Sequence, residues 1–233
     1  MLINEHTAIC TSQIILVPYC KHHVSQYHEW MKDPSIQQAT ASEPLTIEEE
    51  YAMQRSWRQD ADKLTFITGV AKGPFPKGYT VNGDITMIGD VNLFVTIEHN
   101  DEIEADALIG ELELMIAEKS MQGKGLGRST IICFLQYVIA NEQNIVKEYC
   151  STEPDLQKQS IDYYRVKIGK DNERSLKMFA ALGFRKVGDV SYFGEIELRR
   201  TFTPQDVHEL REKHGLEEAW ELRYEDPSEA LES

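Results

Sequence analysis

The hydrophobic residues of this chain occur in short runs that are bounded by polar, glycine or proline residues. Apolar runs of this length predict strands. The predicted strands are residues 13–18, 64–70, 87–96, 108–117, 163–168, 184–190 and 195–201. The run at 87–96 is strongly apolar, which predicts a strand near the centre of a sheet.

Two segments in the first quarter of the chain predict helices. Residues 21–32 carry apolar residues at helical spacing, and Pro34 is expected to end that helix because proline cannot continue it. Thr46 and Glu49 then form a capping-box pattern, in which each side chain hydrogen-bonds the other's backbone. This pattern predicts a second helix that runs to about Gln59.

The clearest helix in the sequence is residues 126–141. Its apolar residues fall on one face, and they are Leu126, Cys133, Phe134, Tyr137 and Val138. Residues 173–182 predict a further helix, with Gly183 as its natural stop. The segment 72–84 holds three glycines and two prolines, so it is predicted to be a loop.

Two further polar segments are predicted to lie outside the regular elements: the acidic residues 98–106 as a surface excursion, and residues 150–162 as a loop.

We expect one domain over residues 12–201, followed by an acidic extension over 203–233. The extension carries ten acidic and three basic residues. Either it forms a helix that packs through Val207, Leu210 and Trp220, or it is solvated and partly disordered.

Charge and composition narrow the classes of function. The 233 residues carry a formal charge of −15, which argues against a nucleic-acid partner because phosphate binding needs clustered basic residues. The acidity suits an enzyme that attracts cationic amines, and it equally suits a protein that is merely kept in solution. No apolar run is long enough for a membrane helix, so no membrane partner is expected.

The same composition predicts a cytoplasmic protein without a metal. Residues 1–9 lack the basic and apolar regions of a secretory signal. The four cysteines form no Cys-x-x-Cys pair, which is typical of reduced thiols in the cytoplasm. His22, His23 and His28 are not spaced with acidic residues as zinc ligands would be.

The most informative motif is a glycine-rich turn, residues 122–129, between a predicted strand and a predicted helix. A helix N-terminus exposes unpaired N–H groups, and glycine lets a phosphate approach them. Lys124 and Arg128 are candidates for contacts with phosphate oxygens. The glycines alone are also explained by a turn that needs positive φ. The spacing excludes both a P-loop and the Gly-x-Gly-x-x-Gly fingerprint.

Gln122, Gly125 and Gly127 match the Gln/Arg-x-x-Gly-x-Gly/Ala turn of the Gcn5-related N-acetyltransferase (GNAT) family. About 45 residues later, residues 172–179 and 182–184 resemble that family's Asn-x-x-Ser/Ala-x-x-x-Tyr/Phe helix and its Gly-Phe ending. The resemblance covers about residues 12–201. It implies an α/β fold with a mixed sheet, acetyl-CoA as co-substrate and no metal.

The resemblance also implies where acetyl-CoA binds. Its pantetheine arm is expected to lie along strand 111–117 like an additional strand, with the backbone N–H near Met115 or Ile116 as the oxyanion donor. Residues implied to bind acetyl-CoA are Met115, Ile116, Gln122, Gly123, Lys124, Gly125, Leu126, Gly127, Arg128, Asn172 and Ser175.

Acetyl transfer needs a base for the amine, and the sequence offers Glu111 and Glu113. Both alternate with leucines on one face of a buried strand, where a carboxyl pKa is expected to rise. Each carboxylate is also open to a structural role, in which it binds a backbone group or a basic side chain. Phe179 stands where many family members have a proton-donating tyrosine, so Ser175 is the remaining candidate for contacting the sulfur. Asn172 and Ser175 are also explained as ordinary helix-start residues.

A closer resemblance is to the eukaryotic N-acetyltransferase 9 group, whose members are described as tubulin N-acetyltransferases. It rests on residues 16–19, 28–32, 40–45, 50–54, 56–57 and 89–94. This resemblance implies a protein amine as substrate, with tubulin as the candidate partner. A catalytically weak acetyl-CoA-binding protein that holds microtubules or another partner is the alternative, and a small-molecule acetyltransferase is a third reading.

Overall fold

Within residues 1–71, 75–83, 85–100, 105–153, 156 and 158–228, the computed structural model contains ten strands that form one mixed sheet. The strands are β1 Thr7–Cys10, β2 Ile15–Pro18, β3 Lys63–Ala71, β4 Thr80–Val81, β5 Ile85–Asn100, β6 Ala105–Ile116, β7 Tyr163–Gly169, β8 Arg185–Val187, β9 Glu195–Arg200 and β10 Trp220–Tyr224. Their order across the sheet is β4-β10-β1-β2-β3-β5-β6-β7-β9-β8.

Two strand pairs are parallel, β10 with β4 and β6 with β7, and the other neighbours are antiparallel. The seven α-helices of the described residues are α1 Val24–Met31, α2 Pro34–Thr40, α3 Ile47–Gln59, α4 Leu126–Ala140, α5 Glu142–Cys150, α6 Glu173–Ala181 and α7 Pro204–Lys213. No helix among the described residues combines the length and apolar composition that a membrane span requires.

Helices cover both faces of the sheet because strand side chains alternate between the faces. Leu64 and Phe66 of β3 pack into a core shared with α4, α5, α6 and α7. Ile67 of the same strand packs into a second core with α1, and α3 adds half-buried residues to it. The central strands β3, β5 and β6 are therefore covered on both sides.

Local signals predicted several elements well. The Thr46–Glu49 capping box is present, and α3 ends at Gln59 as expected. The predicted helices at 126–141 and 173–182 correspond to α4 and α6. All seven predicted strands occur, with bounds that shift by a few residues.

Pro34 does more than end a helix, because it also begins one. α1 ends at Met31, and Pro34 is the first residue of α2. Proline is well tolerated at that position, where its missing N–H would have no intrahelical partner. Asp33 caps the helix by accepting a hydrogen bond from the Ser35 N–H at 2.9 Å.

The acidic segment 98–106 was predicted to be a surface excursion, but most of it extends a hairpin. β5 runs to Asn100, β6 begins at Ala105, and residues 101–104 lie outside the described part. In the predicted loop 72–84, Thr80 and Val81 form β4, while 72–74 and 84 are not described. The polar segment 150–162 follows α5, an unpredicted helix, and its residues 154, 155 and 157 are not described.

The sheet includes strands outside residues 12–201. β1 precedes that range, and β10 pairs with β1 on one side and with β4 on the other. α7 packs through Val207 and Leu210, which are buried. Residues 204–213 are thus helical and packed through Val207 and Leu210, but Trp220 was wrongly predicted to belong to that helix, because it begins strand β10. Residues 229–233 lie outside the described residues.

Candidate active site

The neighbouring parallel strands β6 and β7 pair over only a short length. Their pairs are Ile109 with Tyr163, Gly110 with Tyr164 and Glu111 with Arg165. Beyond Glu111, residues 112–116 of β6 and 166–169 of β7 separate, and we call the space between them the strand gap. Backbone groups of β6 that face this gap are available to a ligand because β5 occupies only the other edge of the strand.

Helices α4 and α6 begin just beyond the ends of β6 and β7, so their N-termini flank the strand gap. A Cβ built on Gly127 of α4 would lie 3.2 Å from Leu114 of β6 and 3.7 Å from the Met178 sulfur of α6. Glycine at 127 thus lets the first turn of α4 pack closely against β6. Open ends of this kind, at the carboxyl ends of strands, are common ligand sites in α/β sheets.

The glycine-rich turn has the conformation that a phosphate cradle needs. Gly123 and Gly125 have positive φ angles of 76° and 84°, a region that residues with a side chain seldom adopt. Gly125 is the N-cap of α4, and a Cβ built on it would have no atom within 4 Å. The space above the turn is open, and the first N–H groups of α4, from Leu126 onward, lack partners within their own helix.

Side chains fix this turn to the strand and to α6. The Gln122 amide donates to the carbonyl oxygen of Ile116 at 2.7 Å, and its oxygen accepts from Arg174 Nη1 at 3.3 Å. Arg174 also lies beside Gly123. Sequence reasoning missed Arg174 as a candidate phosphate contact, although it lies within the motif 172–179. Lys124, which is exposed, is a further cation at the turn.

Arg128 has a different partner from the predicted phosphate. Its Nη1 lies 3.4 Å from His214 Nδ1, at the end of α7. Its Nε is buried without a hydrogen-bond partner. The side chain therefore links α4 to α7, while its backbone N–H stays part of the first turn of α4.

The first residues of α6 have the capping geometry that the sequence left open. Asn172 Oδ1 accepts from the Ser175 N–H at 3.1 Å, so Asn172 is the N-cap. Ser175 is half-buried. Phe179, one turn further, is buried and packs edge-to-face on Phe184 with ring centres 5.3 Å apart. Phe179 is thus part of the core.

The two candidate bases on β6 differ in their partners. Glu111 Oε2 accepts from Arg165 Nε at 2.6 Å and lies 3.2 Å from Lys167 Nζ. Arg165 is buried and also pairs with Glu98 near the end of β5. Glu111 therefore neutralises a buried cation, which is a structural role.

Among the described residues, no cation forms an ion pair of this kind with Glu113. Partial loss of hydration raises the pKa of its carboxyl to about 7, and the charges of Asp90 and Glu111 act in the same direction. Lys167 opposes them. The side chain remains accessible to solvent although neighbouring strands displace much of its water. An accessible carboxylate with this pKa has the properties of a general base near neutral pH.

Two buried polar residues of β5, Asp90 and Asn92, were not singled out from the sequence. The strand register places Asn92 opposite Glu113, and Asp90 opposite Met115. Asn92 Nδ2 donates to Asp90 Oδ2 at 2.7 Å. The signal that could have identified them is the Gly-Asp-x-Asn pattern, which puts polar groups on one face of an otherwise apolar strand.

Met115 is buried and Ile116 half-buried at the end of β6, beside the strand gap. Their N–H groups as oxyanion donors remain a prediction. In the part of the chain that is described, no group of three or more His, Cys, Asp or Glu residues is arranged to hold a metal ion.

Comparisons with known proteins identify the family. The model of the acetyltransferase (GNAT) domain matches residues 13–185. A spermidine N-acetyltransferase from Vibrio cholerae, solved with CoA and spermine, is similar in fold, with a TM-score of 0.59 at 16% identity. That likeness covers 84% of this chain and 99% of the other. The predicted α/β fold with a mixed sheet is thus confirmed.

Two relatives match along most of their length. The human alpha/beta-tubulin-N-acetyltransferase 9 is 41% identical over 91% of this chain and 92% of its own. An N-acetyltransferase 9-like protein of Schizosaccharomyces pombe is 39% identical over 85% of this chain and 97% of its own. These matches confirm both resemblances stated above. The chain therefore belongs to the GNAT family and is an acetyl-CoA-dependent acetyltransferase.

Proposed function

We propose that this enzyme transfers an acetyl group from acetyl-CoA to a protein amine, with the strand gap as the binding site for the pantetheine arm. The observation that carries the proposal is the separation of β6 and β7 at the N-termini of α4 and α6. The glycine-rich turn lies where backbone N–H groups and a helix dipole favour a pyrophosphate. Lys124 and Arg174 add positive charge there.

In this proposal Glu113 prepares the amine. Its carboxylate takes a proton from the substrate ammonium, and the freed nitrogen pair attacks the thioester carbon. The N–H of Met115 or Ile116 donates to the carbonyl oxygen as it gains charge. The carbon–sulfur bond then breaks as the attacking nitrogen, which still carries two protons, releases one of them to solvent and becomes the amide. The leaving thiolate accepts a hydrogen bond from the Ser175 hydroxyl before solvent protonates it.

The names of the relatives support tubulin as the protein substrate. We place the enzyme in the cytoplasm, in keeping with its four free cysteines, because thiols persist in reducing compartments. The second candidate is a catalytically weak acetyl-CoA-binding protein. Phe179 favours it, since a core phenylalanine cannot protonate the thiolate.

The test of the function is an increase of one acetyl group in the mass of tubulin incubated with the enzyme and acetyl-CoA. Peptide mapping then separates α-amine from lysine acetylation. We expect transfer with wild type and strongly slowed transfer with Glu113→Gln. Binding of acetyl-CoA without transfer by wild type would favour the second candidate.

The test of the acetyl-CoA site is the thermal shift that acetyl-CoA produces. A ligand that binds only the folded state raises Tm, and Gly125→Glu should abolish the shift because it puts a negative charge over the turn. Gly78→Glu is the matched control, since Gly78 also has positive φ, 85°, and open space around it. If acetyl-CoA raised the Tm of both folded variants equally, the glycine-rich turn would not be the acetyl-CoA site.

A further inference from the structure

A second carboxylate lies behind Glu113 on the neighbouring strand. Asp90, Asn92 and Ile67 share one face of the sheet with Glu113 and Met115, as the pairing register requires. Asn92 stands directly opposite Glu113, and its amide nitrogen is held by Asp90 at 2.7 Å. Asn92 therefore binds Asp90 and lies next to Glu113 on the same face.

Asp90 and Asn92 each keep one oxygen atom that accepts no hydrogen bond. Asp90 and Asn92 are only 2% and 4% exposed. Asp90 Oδ1 and Asn92 Oδ1 are both buried and have no hydrogen-bond partner. An amide oxygen is an acceptor only, and a buried acceptor without a donor costs free energy. With its nitrogen on Asp90, the oxygen is the remaining hydrogen-bonding atom of Asn92, the residue that stands opposite Glu113 in the pairing register.

A donor would appear beside that oxygen when Glu113 becomes protonated. An ionised carboxylate only accepts hydrogen bonds, whereas a protonated one has an O–H to donate. Hydrogen bonding to the neutral form favours the protonated state of Glu113, and so does the charge of Asp90 while that carboxyl is ionised. Both effects make Glu113 a stronger base toward an ammonium. Burial raises the pKa of the Asp90 carboxyl itself to about 7.

Other groups face Glu113 from each packed element. Glu111 lies on the same strand, Lys167 on β7 and Glu195 on β9. Tyr27 of α1 lies near both Glu113 and Asp90, and Glu50 of α3 lies near Tyr27. Glu111 already forms ion pairs with Arg165 and Lys167. Asp90 is the first among the charges that raise the pKa of Glu113, ahead of Glu111, and no cation pairs with Asp90 among the described residues.

We infer that Asp90 is a positioning residue for the base: through its hydrogen bond it orients Asn92 to receive the proton-bearing oxygen of Glu113, and its charge strengthens Glu113 as a proton acceptor. This inference rests on the proposed function. The proton moves from the substrate nitrogen to Glu113 Oε, and the new O–H donates to Asn92 Oδ1. Asp90 itself neither gains nor loses a proton in that step.

The test is the titration of the Glu113 carboxyl by ¹³C NMR, in wild type and in Asp90→Asn. The Glu113→Gln spectrum assigns the signal by its absence. Without the Asp90 charge, the midpoint of Glu113 should fall by about one pH unit. The acidic limb of the kcat/KM profile should move down with it, and the plateau should fall several-fold because the base is weaker.

Asn92→Leu provides a second variant should Asp90→Asn fail to fold, and it should shift the Glu113 midpoint in the same direction because the acceptor is lost. Thr68→Val is the control: it removes another buried oxygen without a partner, the Thr68 hydroxyl, but on the opposite face of the sheet. It should leave the Glu113 midpoint unchanged. An unshifted midpoint in folded Asp90→Asn or Asn92→Leu would overturn the inference. A shifted midpoint without acetyl transfer by wild type would overturn the proposed function and support the coupling.

Discussion

Glu111 and Glu113 lie two residues apart on one face of β6, and their surroundings give them different chemistry. Arg165 and Lys167 reach Glu111 from β7, where they satisfy its charge. Glu113 lies closer to the strand gap and faces Asn92 and Asp90 instead. The sequence could place both on one face, but it could not distinguish them because their partners come from other strands.

Glu113→Gln should lower kcat by about 10²–10⁴ while acetyl-CoA binding survives, since a base is lost and the turn is untouched. In wild type, activity should rise with pH through about 7, because only the ionised Glu113 accepts a proton and its pKa is raised to about 7. Steady-state kinetics between pH 5.5 and 9 measures both the loss of kcat in the variant and the pH dependence of wild type. Activity near that of wild type in Glu113→Gln would assign the base to another group.

Glu111→Gln should act on stability instead. It leaves the buried Arg165 with fewer acceptors, so we expect a loss of about 1–3 kcal/mol, seen as a lower Tm, with kcat changed by less than about tenfold. Glu98→Gln is the matched control, because Glu98 pairs with the same arginine but is 45% exposed. We expect Glu98→Gln to lower the free energy of unfolding less than Glu111→Gln does. If Glu111→Gln lost much of its kcat without a lower Tm, Glu111 would have a catalytic role instead.

Elements whose signals are local were predictable from the sequence, and those that depend on distant partners were not. The turn before α4 and the capping box of α3 each occupy a few consecutive residues. β1 and β10 are short and pair with each other from near the two ends of the chain. No local periodicity identifies such strands, because their pairing is decided by the sheet.

The N-terminus of α6 provides a prediction that the sequence missed. Arg174→Ala should weaken acetyl-CoA binding by about tenfold, since it removes a charge-assisted contact at the turn and the bond to Gln122. Isothermal titration calorimetry measures the change. Lys177→Ala is the control on the same helix, because Lys177 is exposed and pairs with Glu173 at 2.7 Å. If Arg174→Ala and Lys177→Ala bound acetyl-CoA with equal affinity, Arg174 would not contact the ligand.

At the scale of the molecule, the charge of −15 bears on how the enzyme meets its proposed partner. If tubulin is acidic on its surface, like charges oppose broad docking, and contact is expected to be local. The acidic residues of α7 and β10 are the charges to vary. Deleting residues 204–233 is unsuitable, because it removes β10 from between β1 and β4.

Substitution of the exposed Glu209, Glu212 and Glu221 by glutamine should strengthen cosedimentation with microtubules at low salt. The gain should fade near 0.5 M salt, where the Debye length is about 4 Å. Lys-to-Gln changes at exposed positions on the same surface, such as Lys213, should have the opposite sign. Weaker binding by the glutamate variant would mean that this surface holds the partner.

The position of β10 also affects how the protein is made. The ribosome completes β10 after every other described element, yet β10 is the neighbour that covers the free edge of β1. Until then, a nascent chain has an unpaired strand edge near its N-terminus, and such edges recruit other chains. Messages that end early, before residue 220, should therefore yield aggregating products even though the glycine-rich turn and both strands of the gap are already complete.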